Sequence, residues 1–433
     1  GLSINHAKDN PSGMAISGKM KAQIDGLGQA STNSSDGISV IETADGALNE
    51  VSSIIQRMRE LSVQAANGTN AQTEKEAIQT EISSLKEEID RISSTTEFNT
   101  KSLLDGSLDT RIYGNNVSRM TSTEYVSAGT YKFSVDNAAL QASIPATVAI
   151  NNLSTVTSTL AEGETGVVEI NGVKVELKKD MSDMEIYEAL RKGSELAECT
   201  IPDFNTTETL SFKSKEFGND AYIKVLASDN IAAGMGLNPS QDATGTNAEL
   251  TLNTTPPDSI FGAQSTYVME GNKVTFTNTG GFKMSMLLDE GFTGDINLNV
   301  TDIGPMDLQI GANEGQQMTV RIPSVSLNHL YLDDLDVSTI HGADRGIAQL
   351  DNALTRLNEI RASLGAYENR LEHTVASLDG TEENLTAAIS RIQDVDMAEE
   401  MVEYTKDNVL AQAGTSALSQ ANELPQMALQ LLQ

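Results

Sequence analysis

One apolar seam constrains this chain more than any other feature. Ile41, Ala44, Leu48, Val51, Ile55, Met58, Ser62 and Ala65 recur at alternating spacings of three and four. That rhythm keeps a narrow stripe on one line of a helix, the pattern of a coiled-coil seam rather than of a broad globular face. Upstream, Asn10-Pro11 reads as an N-cap followed by a proline at the first helical position. Asn67-Gly68 supplies the residue types that tolerate a left-handed cap and is expected to close the helix. At about 1.5 Å per residue, a helix from Pro11 to Asn67 would be about 85 Å long, so an elongated molecule is expected.

Matching seams lie elsewhere. Thr73-Glu74-Lys75-Glu76 fits a capping box opening a second helix, with Ile78, Ile82, Leu85, Ile89 and Ile92 as its stripe. Ile347, Leu350, Leu354, Leu357, Leu364, Leu371, Val375 and Leu378 keep the same register, with Arg361 and Glu368 as polar interruptions. Three such seams predict one bundle. Asp379-Gly380-Thr381-Glu382-Glu383 reads as a stop followed by a new cap. From Asn408 to Gln433 the only charged side chain is Glu423, and Leu410, Ala417, Leu424 and Leu431 recur every seven residues. So little charge leaves an apolar stripe that requires a partner.

The middle of the chain changes composition to Thr, Gly, Asn, Val and Asp. Strands are expected at Tyr131 to Val135, Gly166 to Leu177, Leu210 to Lys213, Tyr222 to Leu226, Lys273 to Thr277, Ile296 to Val300 and Met318 to Ile322. The Asn171-Gly172 pair signals a hairpin, and Ser182 to Lys192 a helical insert. Polar stretches around 150 to 160 and 240 to 258 read as surface loops. The fold class is therefore α+β, a coiled-coil-like bundle built from both chain ends with a β-rich middle.

Composition narrows the function. At 433 residues, about three domains are expected. With 61 acidic against 29 basic residues the net charge is −32, the opposite of what phosphate neutralisation needs. Nucleic acid and anionic membrane are thus poor partners, and no stretch approaches an apolar span. A single cysteine, Cys199, excludes an internal disulfide framework and a Cys-based zinc site. The first residues, Gly1 to Lys8, carry neither an initiator Met nor a secretory pattern, which reads as a start inside a longer protein.

No set of residues points to an enzyme or a cofactor. Gly13-Met14-Ala15-Ile16-Ser17-Gly18-Lys19-Met20 nearly matches a phosphate loop, but Met20 replaces the metal-holding hydroxyl and the segment falls inside a helix. Asp394, Asp396, Glu399, Glu400 and Glu403 lack the glycine turn of a calcium loop and read as a solvated helix face, as do Asp333, Asp334 and Asp336. His6, His329, His341 and His373 show no metal-binding spacing. There is no Gly-x-Ser-x-Gly elbow, and no His neighbours Cys199.

Both ends resemble the bacterial flagellins. Ile4 to Ile16 is similar to the N-terminal signature of that family. Gln56-Arg57-Met58-Arg59-Glu60-Leu61-Ser62-Val63-Gln64, Asn67-Gly68-Thr69-Asn70, Glu88 to Ile92 and Phe98-Asn99 follow in order. Leu364 to Leu371, Glu383 to Ile392 and Gln420 to Gln426 match at the far end. The likeness covers roughly 1 to 105 and 300 to 433, while 166 to 226 resembles a small β-α-β insert seen in some members. Flagellins normally begin with about thirty more residues, an amphipathic helix pairing with the C-terminal one, so the resemblance implies that this segment is lacking here.

The resemblance implies a division into 1–140 (bundle plus β-hairpin), 141–300 (variable outer region), 301–393 (C-terminal bundle part) and 394–433 (terminal core helix). It implies a filament subunit exported outside the cell without a cleaved signal, with copies of itself, the flagellar cap and an export chaperone as partners. Leu410, Ala417, Leu424 and Leu431 would carry self-assembly. It further implies a ligand for Toll-like receptor 5 of animal hosts, with Gln56, Arg57, Glu60, Leu61, Gln64 and Glu81 at the matching positions. Arg57, Leu61 and Gln64 lie at i, i+4 and i+7 and share a face about a third of a turn from the seam, so all three are expected to point outward. The alternatives are a hook-filament junction protein of the same family and a surface adhesin acting through the variable region. A metallopeptidase in the variable region, known in some flagellins, would need a His-Glu-x-x-His that residues 101 to 340 lack.

Overall fold

A computed structural model describes residues 1–6, 8–123, 125–158, 160–204, 208–254, 259–262, 264–339 and 341–431, without the side chains of 426 and 428–431. The helices are α1 (Pro11–Ala65), α2 (Gln72–Thr95), α3 (Ser154–Thr157), α4 (Asp183–Leu196), α5 (Asp229–Met235), α6 (Leu327–Leu330), α7 (Gly342–Gln393) and α8 (Met397–Leu431). The chain divides into two compact units. One holds Gly1–Ile38, Leu308–Met318 and Glu368–Gln433; the other holds Ser39–Asp307 and Thr319–Tyr367.

The larger unit carries the helical seams. Every seam residue of α1 from Ile41 to Ala65 is buried, as are Ile78, Ile82 and Ile89 of α2 and Leu350, Leu357 and Leu364 of α7. Exposed ion pairs run between these helices: Arg57 with Glu81 of α2 at 2.9 Å, and Arg59 with Asp351 of α7 at 2.6 Å. Arg361, read from sequence as an interruption, pairs with Asp45 at 2.8 Å.

Two pairs of antiparallel sheets also lie in this unit. Glu249–Leu252, Gly129–Asn137, Gly294–Thr301 and Arg111–Gly114 form one sheet, and Thr266–Glu270, Lys273–Thr277, Lys283–Leu288 and Val117–Ser122 another. Between them lies a core of Tyr131, Phe133, Phe261, Phe276, Met284 and Ile296. The second pair, with α4 and α5 against it, encloses Phe212, Ile223, Leu190 and Ile231. Asn171 (φ 45°) and Gly172 (φ 92°) make the hairpin turn between Thr165–Ile170 and Val173–Lys178, both in the left-handed region that a two-residue turn demands.

The smaller unit packs Leu27 and Ala30 of α1 against Leu378 of α7, with Ala312 and Leu385 alongside. Asn10 caps α1 as expected, its Oδ1 accepting the Gly13 N–H at 2.9 Å. α8 begins on Asp396, whose Oδ1 accepts the Ala398 N–H at 2.8 Å.

Four local expectations change. α7 runs through Gly380 instead of stopping there: a helical glycine costs only about 1 kcal/mol, and Asn384 Nδ2 donates to its carbonyl at 2.7 Å. α2 opens at Gln72, with Glu74 accepting the Ala71 N–H at 2.9 Å, so Thr73 is inside the helix. α1 ends at Ala65, and neither Asn67 nor Gly68 takes a left-handed conformation. The supposed loops are structured: Ile150, Leu153, Val156 and Leu160 are buried at helical spacing beneath a polar exterior, and Ser240–Thr244 and Glu249–Leu252 are edge strands. Average composition hid the spacing. Residues 255–258 of the second stretch lie outside the described residues.

The segment at residues 321–336 ties several elements of the larger unit together, and it titrates. Leu327 donates its N–H to Asp90 of α2 at 3.0 Å, and Tyr331 its hydroxyl to the Arg119 carbonyl at 3.0 Å. His329 sits between them, with Ser326 Oγ 2.9 Å from its Nδ1. Burial, and then the nearby Arg356 cation, push the His329 pKa below its ordinary 6.5, while Asp109 and Asp333 pull the other way. A base with a depressed folded pKa adds stability above its unfolded value and loses it as pH falls through that value toward the folded one. Stability should therefore decline as pH falls below the ordinary histidine value of about 6.5, and His329→Gln should flatten that decline. Parallel denaturation curves for both forms across the range would contradict the assignment.

Candidate functional site

Two surfaces hold the side chains that the sequence singles out. On α1 the exposed arc holds Gln56, Arg57, Glu60 and Gln64, with Glu81 of α2 beside it. Arg57 is held from both sides: its Nη1 donates to Glu60 at 3.2 Å, one turn along, and its Nη2 to Glu81 across the helix gap at 2.9 Å. The Glu81 and then the Glu60 hydrogen bonds raise its pKa above the usual guanidinium value. The result is a guanidinium fixed in direction but about half exposed. Because the pairs face water, they orient the cation more than they stabilise the helices.

Leu61 is not on this face. It is 2% exposed, which corrects the outward placement expected from its spacing to Arg57. The reason is the number of neighbours. α2 lies on the Arg57 flank and α7 on the Arg59 flank, so α1 buries an arc wider than a two-helix seam, and Leu61 falls between Met58 and the α2 side. The exposed apolar side chain on this turn is Val63, at 49%, which the seam spacing does not single out. The Arg59–Asp351 and Arg361–Asp45 pairs were also illegible in sequence, since their partners lie hundreds of residues apart.

The second surface is α8. Met401, Val402, Val409, Leu410, Leu418, Leu424 and Met427 are all more than half exposed, and Ala417 is exposed with them. The side chain of Leu431 lies outside those described. Pro425 is accommodated inside the helix. α8 thus displays its apolar residues to water, while the seams of α1 and α2 are buried. Among the described residues no helix is long and apolar enough to cross a membrane.

The acidic clusters have structural work. Asp396 caps α8, Asp333 and Asp334 each lie 3.3 Å from Arg119, and Asp336 accepts the Ser338 N–H at 2.9 Å. Burial pushes the Cys199 thiol up to about 12, far from the range of a reactive thiolate.

Comparison with known proteins places both helical ends in one family. Residues 1–109 match the bacterial flagellin N-terminal helical region and residues 347–432 the bacterial flagellin C-terminal helical region. A flagellin of Clostridium tyrobutyricum is 34% identical over 98% of this chain and 92% of its own length. The chain belongs to the flagellin family. Flagellin B of Vibrio anguillarum is 31% identical, covering all of this chain and 91% of its own. A solved flagellar hook-associated protein-3 of Legionella pneumophila is far more distant, at 12% identity and a TM-score of 0.34 over 86% of this chain and 98% of that one. The flagellins are structural proteins of the bacterial flagellum, and this flagellin shares both helical regions with them.

Proposed function

We propose that this flagellin is a subunit that polymerises into the flagellar filament, joining its neighbours through α8. The observation that carries the reading is the exposed apolar face of α8, including Leu410, Ala417 and Leu424. Burying such side chains in a subunit contact recovers about 1.5–3 kcal/mol each, enough for a few positions to drive assembly. Leu431 continues the seven-residue repeat. In this reading 394–433 forms the filament core, 1–140 and 301–393 the surrounding tube, and 141–300 faces water outside the cell. The cap and an export chaperone serve the same pathway. Leu410→Lys with Leu424→Lys should abolish elongation of filament seeds, seen by electron microscopy, while circular dichroism keeps the helical signal. Unchanged elongation would refute the role of α8.

The reading extends to recognition by Toll-like receptor 5 through Gln56, Arg57, Glu60, Gln64 and Glu81. An arginine fixed by two carboxylates and still open to solvent suits a contact anchor, because little side-chain freedom remains to be lost on binding. Leu61 supports this turn from inside. Arg57→Ala should weaken binding of the monomer to the receptor ectodomain by at least about 2 kcal/mol, a hot-spot loss, with stability unchanged. Leu61→Ala should instead cost about 2–5 kcal/mol of stability, as a core truncation does. A binding loss below about 1 kcal/mol for Arg57→Ala would remove it from the anchor set.

A further inference from the structure

The sequence contains two Asn-Gly pairs, Asn67-Gly68 and Asn171-Gly172, and the fold treats them in opposite ways. At the second, the side-chain amide is fully engaged. Asn171 Oδ1 accepts the Lys224 N–H at 2.8 Å, and Nδ2 donates to the carbonyls of Ala197 at 3.1 Å and Tyr222 at 3.4 Å. The turn is locked between paired strands, Ile170 opposite Val173. Both the amide oxygen and the leaving nitrogen are thus held by surrounding backbone groups.

At the first, nothing comparable holds the pair. Asn67 and Gly68 are both exposed, in the turn between α1 and α2. Among the described residues Asn67 Nδ2 donates no hydrogen bond, while its Oδ1 accepts the Thr69 N–H at 3.2 Å, which polarises the amide carbonyl. A Cβ on Gly68 would meet nothing within 4 Å, so the space beside the Gly68 α-carbon is open.

We propose that Asn67 is a self-modifying site, converting to aspartate and isoaspartate in the folded chain while Asn171 stays intact. The Gly68 nitrogen loses its proton to hydroxide and attacks Asn67 Cγ. The new N–C bond forms as the Cγ–Nδ2 bond breaks, and the side-chain nitrogen leaves as ammonia. Water then opens the five-membered imide at either carbonyl, giving aspartate or isoaspartate and a net gain of one dalton.

The consequence falls on the end of α1. The Asn67 carbonyl accepts the Asn70 N–H at 3.1 Å, and Asn70 Nδ2 closes the last turn by donating to the Gln64 carbonyl at 2.7 Å. In isoaspartate the chain runs through the former side chain, and that Asn67 carbonyl becomes a free carboxylate. Either product adds a negative charge at a helix C-terminus, where the helix dipole disfavours it. The end of α1 and the turn after it, Val63 to Asn67, should fray.

Incubation of the full chain at mildly alkaline pH, followed by peptide mass mapping and enzymatic isoaspartate labelling, tests this. The peptide carrying Asn67 should gain one dalton and accept the label, with that of Asn171 unchanged in the same sample. Gly68→Ala has room for its methyl group and needs no unusual backbone angle, so it should fold normally and slow the conversion by an order of magnitude or more. Hydrogen exchange should rise at Val63 to Asn67 in the aged protein and not in aged Gly68→Ala. Equal conversion at Asn67 and Asn171, no conversion at Asn67, or an unslowed Gly68→Ala variant would each overturn the proposal.

Discussion

Asp109→Ala is expected to destabilise the larger unit by about 3 kcal/mol, the lower end of the cost of leaving one partner of a buried ion pair uncompensated, because both side chains keep some exposure. Arg321 is 10% exposed and Asp109 18%. Arg321 Nη2 and Nε both donate to Asp109 Oδ1, at 2.5 and 3.1 Å, and Nη1 donates to the Thr123 carbonyl at 2.8 Å. One guanidinium therefore ties the chain after Gln317–Val320 to the end of Val117–Ser122 and to the segment that follows α2. Without the carboxylate, Arg321 keeps a carbonyl and the Ser122 hydroxyl but has no counter-charge. Asp109→Leu with Arg321→Met should lose much less, since neither charge then remains buried. Denaturant unfolding of the three forms is the check, and equal losses for the single and double variants would rule out the pair as the cause.

Phe276→Ala is expected to cost about 3–5 kcal/mol through the cavity left in the sheet-on-sheet core. Phe276 is fully buried, with ring centroids 5.0 Å from Phe133 and 5.0 Å from Phe261, and 6.4 Å from Tyr267. Each aromatic pair adds about 0.5–1.5 kcal/mol beyond the area it buries. Phe276→Leu keeps most of the volume and should lose only a fraction of that. A fall in the denaturation midpoint at constant slope would report stability alone, whereas an alanine variant as stable as the parent would place the ring outside the core.

How far the candidate surfaces were legible differs between them. The apolar stripe of Leu410 and Leu424 was legible from a local property, the near absence of charge from Asn408 onward, whereas only the structure shows those side chains left in water. Arg57 and Gln64 are exposed as their angular distance from the seam requires. Leu61 failed the same test, because the angle between a residue and a seam decides burial only when the number of packing helices is known. Its burial depends on α2, whose position against α1 is marked by the Arg57–Glu81 pair rather than by any spacing within α1.

The sequence by itself determined the long helices, their buried stripes, the hairpin at Asn171-Gly172 and most strands of the middle region. Each rests on a short-range rule: a period of three and four, a cap, a turn that accepts positive φ, or alternation along a strand. It also determined that α8 would lack charge. The tertiary structure alone decided which polar residues pair across hundreds of positions, as Arg361 with Asp45 and Arg321 with Asp109. It decided that Gly380 continues a helix, that residues 150–157 fold into buried turns, and that one Asn-Gly pair is locked while the other is open. These outcomes share one cause. Burial, ion pairing and the satisfaction of polar groups depend on what lies opposite, and the partner is set by topology rather than by neighbours along the chain.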